Sequence, residues 1–491
     1  MSIAFNLIIA LVATAPILVL MQGPTELAFV ALISALALVL GASTTPVVEF
    51  EALAKTLRRI GVLLAVPAGW MVVQLLPLPL APPSHQIWTS AAAAMPDLSF
   101  GHITVNVIDT VRALALYCSW IVLALATMVA TTERRRAELC LVTLVLVTTV
   151  IAAAGIAFSF DPSTLTVEAK ETFSAAASAA VFGCVLSLAA VQRLIERREA
   201  QRPSTRRQAV SSILLTICNV SAFAICFAAA ALLSPAAWIA ASLGSLTFAA
   251  IALTNRLRSF KGAQYVIMTV FALTAAIVLL AKSAGTPTGA ILTDVVSSAS
   301  AESIAAAERM LKDTTWLGSG AGTYQTMIPV YEELGRPPPA IAPSLALKLA
   351  IELGWVFAAV LTFGTLLLAA KLIDAAMTRR RDSFYPAAAA ACLASLTLQA
   401  FGDASLLNPA IGLLCAVIVG LALAQAARTT VSRTTRQTAE GYRSRSSGGR
   451  SRSLVGIQCF ALAFLTAVTC DLFNNQSSQL LVNLAITVGK G

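Results

Sequence analysis

Thirteen apolar runs recur along this chain, each close to the roughly 17–25 residues that carry a helix across the hydrocarbon core of a bilayer. They fall at 5–21, 26–43, 60–78, 110–131, 138–158, 173–192, 210–232, 236–254, 263–282, 345–370, 385–402, 405–426 and 454–470. Lipid offers no hydrogen-bond partner, so a backbone that crosses it satisfies its own N–H and C=O groups, and runs of this length do so as helices. With 58% apolar and 12% charged residues, the chain has too little polar surface to cover a soluble globule. The expected fold is all-α: a polytopic integral membrane protein of about 13 transmembrane helices with one large external loop. Nothing basic precedes the first run and a second follows at once, so it reads as a membrane helix rather than a signal peptide.

The basic residues set the expected topology, because Lys and Arg in short connectors are retained on the cytoplasmic side. Connectors at 55–59, 134–136, 193–207, 256–261, 371–381 and 428–452 hold 26 of the 34 Lys and Arg residues, and all six fall on one side. The N-terminus is then cytoplasmic and the tail from Asp471 is external. The expected layout is helices one to nine over 1–282 with an external segment at 79–109, a large external loop at 283–344 and helices ten to twelve over 345–426. A basic cytoplasmic loop at 427–453 and a last helix with its tail at 454–491 complete it. The same asymmetry accounts for the net charge of +10, so the Ser/Arg-rich stretch 428–453 reads as a solvated loop touching anionic lipid at most, and no nucleic-acid partner is implied. The nine cysteines lie in or at the ends of apolar runs. Neither a disulfide framework nor a metal site follows, and no cofactor is implied.

Polar chemistry concentrates between 300 and 355. A charged helical lead-in, Glu302 to Lys312, is expected to lie along the membrane surface with Ile304, Ala307 and Leu311 on one face. The glycine turn Gly318-Ser319-Gly320-Ala321-Gly322-Thr323-Tyr324 follows. No βαβ pattern surrounds it, so it reads as a tight re-entry turn and not as a nucleotide loop. Lys348 and Glu352 stand four residues apart, either bonded to each other or divided between a lipid-linked phosphate and the loop. Arg112 opens the fourth helix from outside, where it either meets an anionic headgroup or snorkels. His85 and His102 read as solvated loop residues, Asn219 as a bond to a neighbouring helix, and Asp403 as a candidate partner for an external Arg.

The run Trp316 to Tyr324 followed by Leu349-Ala350-Ile351-Glu352-Leu353-Gly354 resembles the O-antigen ligase and O-antigen polymerase superfamily of bacterial inner-membrane proteins. Leu76-Pro77-Leu78-Pro79, Phe182-Gly183 and Asp403-Ala404-Ser405-Leu406 add to the likeness. The resemblance implies transfer of a glycan from an undecaprenyl diphosphate carrier to an acceptor sugar on the periplasmic face, without a metal. It implies cations for the leaving diphosphate, here Arg309, Arg336, Lys348 and Arg112, with Gly318, Gly320, Gly322, Glu352 and Asp403 positioning the loop. The catalytic residues stay unassigned, because the sequence departs from the family at four places. Pro343-Ser344 replaces a His-Asn, and Ala175-Ala176-Ala177 replaces an Asn-Arg-Asn. Ser234-Pro235-Ala236-Ala237 replaces a Ser-Arg turn, and Ala301-Glu302 stands where an Arg is usual. Three readings follow: a working ligase or polymerase with relocated residues; a catalytically silent partner of a competent homologue or of other polysaccharide-assembly proteins; and, last, a transporter of lipid-linked glycan, which needs more polar residues inside the spans than Asn219 and Gln399.

Overall fold

The computed structural model describes residues 2–20, 24–44, 47–80, 84–95, 99–160, 167–200, 206–257, 301–331, 342–379 and 382–438. The spans expected at 263–282 and 454–470, the candidate ligand Arg336, and the parts of the two expected loops at 283–300 and 439–453 lie outside these residues.

Sixteen helices are described: α1 (Ser2–Ala13), α2 (Ala15–Leu20), α3 (Pro24–Thr44), α4 (Val47–Leu75), α5 (Gln86–Ala94), α6 (Val107–Ala130), α7 (Arg134–Ser159), α8 (Val167–Ala200), α9 (Arg206–Leu233), α10 (Pro235–Leu257), α11 (Ala301–Asp313), α12 (Tyr324–Tyr331), α13 (Leu345–Leu353), α14 (Trp355–Met377), α15 (Phe384–Gly402) and α16 (Pro409–Thr438). Among the described residues the only strand-like pairing is an isolated bridge between Leu78 and Gly101. Among the described residues, ten helical stretches are long and apolar enough to cross a membrane, and Ile60–Leu75 is a shorter apolar stretch beside them. The protein is an all-α, multi-pass membrane protein.

Three boundaries depart from the sequence expectation, each for a local reason. The first span is interrupted at Thr14, whose hydroxyl bonds the Leu11 carbonyl at 2.7 Å, just before Pro16, which has no N–H to donate to the ladder. The span expected at 345–370 is two helices, because Gly354 turns to φ 86° between α13 and α14. Residues 427–438, expected in a loop, continue α16.

α8 and α16 form the interior; in an 18-residue apolar stretch of each, within Thr172–Glu199 and Pro409–Ala427, 83% of the residues are buried. Small side chains make this possible. Ala175, Ala176, Ala177, Ser178, Ala179 and Ala180 are all buried on α8, and a Cβ on Gly183 would stand 3.0 Å from Thr148 Oγ1 on α7 and also strike Cys226 on α9. Close backbone approach of this kind replaces hydrophobic driving force, which is weak between helices in lipid. α9 and α14 lie outermost, with 22% of the corresponding 18-residue stretch buried in each.

The bundle has two chemically different ends. At one, Glu138 of α7 meets Arg134 at 3.4 Å, Arg193 of α8 at 2.9 Å, and Arg197, while Arg134 reaches Asp382 at 3.1 Å. Arg379 donates to the carbonyls of Gln425 and Ala426 in the middle of α16. Three of the six basic connectors therefore meet. The other end carries the glycine turn.

Candidate functional site: a glycine clasp on a broken helix

α13 is nine residues long and ends at Leu353, where a helix leaves its last carbonyls without intrahelical donors. Here other segments supply them. The Ile351 carbonyl accepts from Ser319 N–H at 2.9 Å, and that of Glu352 accepts from Gly320 N–H at 2.9 Å. The Gln74 side chain also donates to Glu352 O at 3.0 Å, and the Trp70 indole donates to Leu353 O at 3.0 Å. The glycine turn thus clasps the helix end.

The contact requires glycine where it occurs. Gly318 and Gly354 have φ of 82° and 86°, and a Cβ on either would run into backbone of the other strand of the clasp: Glu352 O for Gly318, Trp316 O for Gly354. Gly320 and Gly322, at φ 109° and 81°, lie against Thr104 and against the Asp109 carbonyl. L side chains avoid this region of backbone space.

The donors of the turn are all engaged. Gly318 N–H donates to Thr315 O, Thr323 N–H to Gly320 O, Ala321 N–H to Gln74 Oε1 at 3.1 Å and Tyr324 N–H to Glu352 Oε1 at 3.1 Å, and Gly322 N–H also donates to the Glu352 carboxylate. A phosphate cradle needs free amides. The amides of this turn are taken up within the clasp, which leaves none to cradle a phosphate.

Glu352 is the acceptor at the centre. Lys348 approaches Oε1 to 3.6 Å, and the two side chains are 16% and 5% exposed. Both sequence alternatives for the glutamate are therefore realised at once: it pairs with Lys348 and it holds the loop. Burial pushes its carboxyl above the usual range, against the pull of Lys348 and the two amides. Burial also pushes the adjacent Tyr324 phenol up to about 12, with Glu352 adding to the shift.

Asp403 anchors the other end of α13. Its carbonyl accepts from Leu345 N–H at 3.0 Å, beside the N-cap Ser344 whose hydroxyl accepts from Leu347 N–H. Among the described residues, no arginine meets its carboxylate. It is buried and takes Ser405 N–H at 3.1 Å, Ser234 O–H at 3.3 Å, Gln399 N–H at 3.4 Å and the Ser405 hydroxyl. Burial raises its pKa while these donors oppose the rise. Ser234 and Ser344, both inside family-motif departures, are thus structural here.

The remaining candidates separate. Arg112 lies one turn beyond Asp109, with Nη1 at 3.9 Å from Oδ1 and a side chain 45% exposed; Asp109 in turn sits under Gly322. Arg309 is exposed on α11, its Nε donating to Ala305 O at 3.3 Å. The packed face of that helix is Ser303, Ala306, Ala307 and Met310, with Leu311 packed beside it, so Ala307 and Leu311 of the expected face are used, and it rests on Tyr324 and Ile351. The structure therefore gathers Arg112, Lys348, Glu352 and the three glycines, with Asp403 behind them, and leaves Arg309 outside.

The histidines are not simply solvated. His85 caps α5 by accepting from Ile87 N–H, with its pKa lowered by burial, and His102 Nδ1 bonds Leu75 O at 2.9 Å between Trp88 and Phe100. Asn219 bonds its own helix at Leu215 O, 2.7 Å away. Sequence reasoning missed Gln74, which ties the Leu317 and Glu352 carbonyls and the Ala321 amide. Its signal was a lone amide in an otherwise apolar helix end. No family model matches this chain, and no curated protein matches it.

Proposed function

We propose that this protein is a divergent member of the O-antigen ligase and polymerase type, acting in polysaccharide assembly at the clasp end of the bundle. It takes a glycan carried on undecaprenyl diphosphate and transfers it, or helps to transfer it, to an acceptor sugar on the periplasmic face of a bacterial inner membrane. One observation carries the reading. Two stretches behind the resemblance, Trp316–Tyr324 and Leu349–Gly354, bond directly to each other, with Gln74 just before Leu76–Pro79 joined to them and Asp403 bonded to the start of the same helix at Leu345. Arg112 and Lys348 flank that unit, and cations are what a departing diphosphate needs. The arginine-rich opposite end fits the cytoplasmic side by the charge rule. The test is purified protein in lipid with an undecaprenyl diphosphate-linked oligosaccharide, followed for release of the carrier. Release supports transfer, and none beside a competent homologue rejects it.

A second reading, a catalytically silent accessory subunit, is favoured by the use of Glu352, Asp403, His85 and His102 in structural bonds. It predicts co-purification with a homologue that retains the His-Asn and Asn-Arg-Asn motifs, and isolation without such a partner counts against it.

A further inference from the structure

We propose that Asp109 is the group that takes the proton from the acceptor hydroxyl during glycan transfer at the clasp, an assignment that rests on the transferase reading above. Such a base needs a carboxylate held in place by one oxygen and open at the other. Glu352 and Asp403 fail this requirement, because both are buried, with Asp403 accepting at both oxygens and Glu352 held at Oε1 by the Tyr324 amide and Lys348.

Asp109 meets it. Its side chain is 22% exposed. Oδ2 accepts from Asn106 Nδ2 at 2.7 Å and from Thr326 Oγ1 at 2.6 Å, which fixes the carboxylate between the start of α6 and the start of α12. Oδ1 has Arg112 Nη1 at 3.9 Å, beyond hydrogen-bond range. Asn106 is the N-cap of α6 and accepts from Ile108 N–H at 3.0 Å, so the residue that starts the helix also braces the Asp109 carboxylate. That bracing accounts for Oδ2. Oδ1 faces Arg112, on the side where a diphosphate and an acceptor sugar would meet.

The step balances without a further reagent. The acceptor oxygen forms a bond to the anomeric carbon of the carried glycan as its proton passes to Asp109 Oδ1. The bond from that carbon to the diphosphate oxygen breaks, and its electron pair leaves with the carrier diphosphate beside Arg112. The proton is then lost to water.

The experiment measures carrier release by the full-length protein in lipid for wild type, Asp109→Asn and Asp109→Ala, with folding followed by thermal unfolding. Asp109→Asn retains an oxygen for Asn106 and Thr326; kcat should fall by about 100-fold or more, with KM within about threefold of wild type. Added formate should restore part of the rate of Asp109→Ala, which a purely capping role would not permit. A kcat within about threefold of wild type in Asp109→Asn overturns the assignment while the transferase reading stands. So does a loss that formate does not relieve, or failure of both variants to accumulate as folded protein. No release by wild type removes the transferase reading itself, and the assignment with it.

Discussion

Glu352 shows how one side chain sets the chemistry of the clasp. Replacing it with Ala leaves the buried amides of Gly322 and Tyr324 without an acceptor and should lower stability by about 2–4 kcal/mol, read by thermal unfolding in detergent. Glu352→Gln keeps an oxygen for one of them and should lose less. The pH dependence has a definite sign. Burial raises the folded-state pKa of Glu352 above its ordinary 4.5, so between the two values the folded protein binds more protons than the unfolded chain. The stabilising effect of protonation is complete below 4.5 and is lost as pH rises through the folded-state value. Stability measured against pH should therefore fall over that window in the wild type, and Glu352→Gln should abolish that part of the slope. Gly354→Ala places a side chain at φ 86° against the Trp316 carbonyl and should destabilise by more than the ~1–2 kcal/mol of the backbone conformation alone. Gly69→Ala is its control, because nothing lies within 4 Å of the new methyl; in mid-helix it should be neutral or stabilising by up to about 1 kcal/mol.

Among the elements, α4 and α7 each carry one polar residue on which a junction depends. Gln74 joins the end of α4 to both strands of the clasp, and Gln74→Leu would strip Ala321 N–H of its acceptor and two carbonyls of a donor. The expected loss is about 2–4 kcal/mol, measured by thermal unfolding. At the opposite end, Glu138 is shared by three arginines. Glu138→Ala leaves the largely buried Arg193 without its carboxylate and should cost about 3–5 kcal/mol. Arg197→Ala removes a side chain that is 46% exposed, and its effect should stay within the ~0–1 kcal/mol of a solvated pair. Comparable losses in both variants would show that the cluster is not organised around Glu138. The break between α13 and α14 belongs to this scale too. A run of apolar residues from 345 to 370 has the composition of one span, and only the packing of Trp316 and Gly318 against Gly354 divides it.

Among the described residues, most tryptophans and the Glu138 arginine cluster lie at opposite ends of the bundle. Of the six tryptophans, Trp70, Trp88, Trp238, Trp316 and Trp355 lie toward the clasp, while the ion-paired arginines lie at the other end. Indole rings favour the headgroup level and arginines are retained in the cytoplasm, so the clasp is expected outside. A membrane-impermeant thiol reagent applied to intact cells should label Glu308→Cys on α11 and spare Arg135→Cys at the start of α7, each against the wild-type background. The reverse pattern would invert the topology and place the clasp in the cytosol. Hydrophobic length and charge placement are local properties, which is why the helical class, the approximate spans and the gathering of the basic connectors were legible in the amino-acid order alone. The glycine turn was legible as a turn for the same reason, since three glycines in five residues mark backbone that other residues resist. The partners were not. Gln74 finds Glu352 across 278 residues and Ser234 finds Asp403 across 169, and nothing local distinguishes a buried, fully bonded carboxylate such as Glu352 from an accessible one such as Asp109. Folding settles that difference, because burial and hydrogen bonding depend on which distant segments arrive, and a helix pattern carries no record of its neighbours.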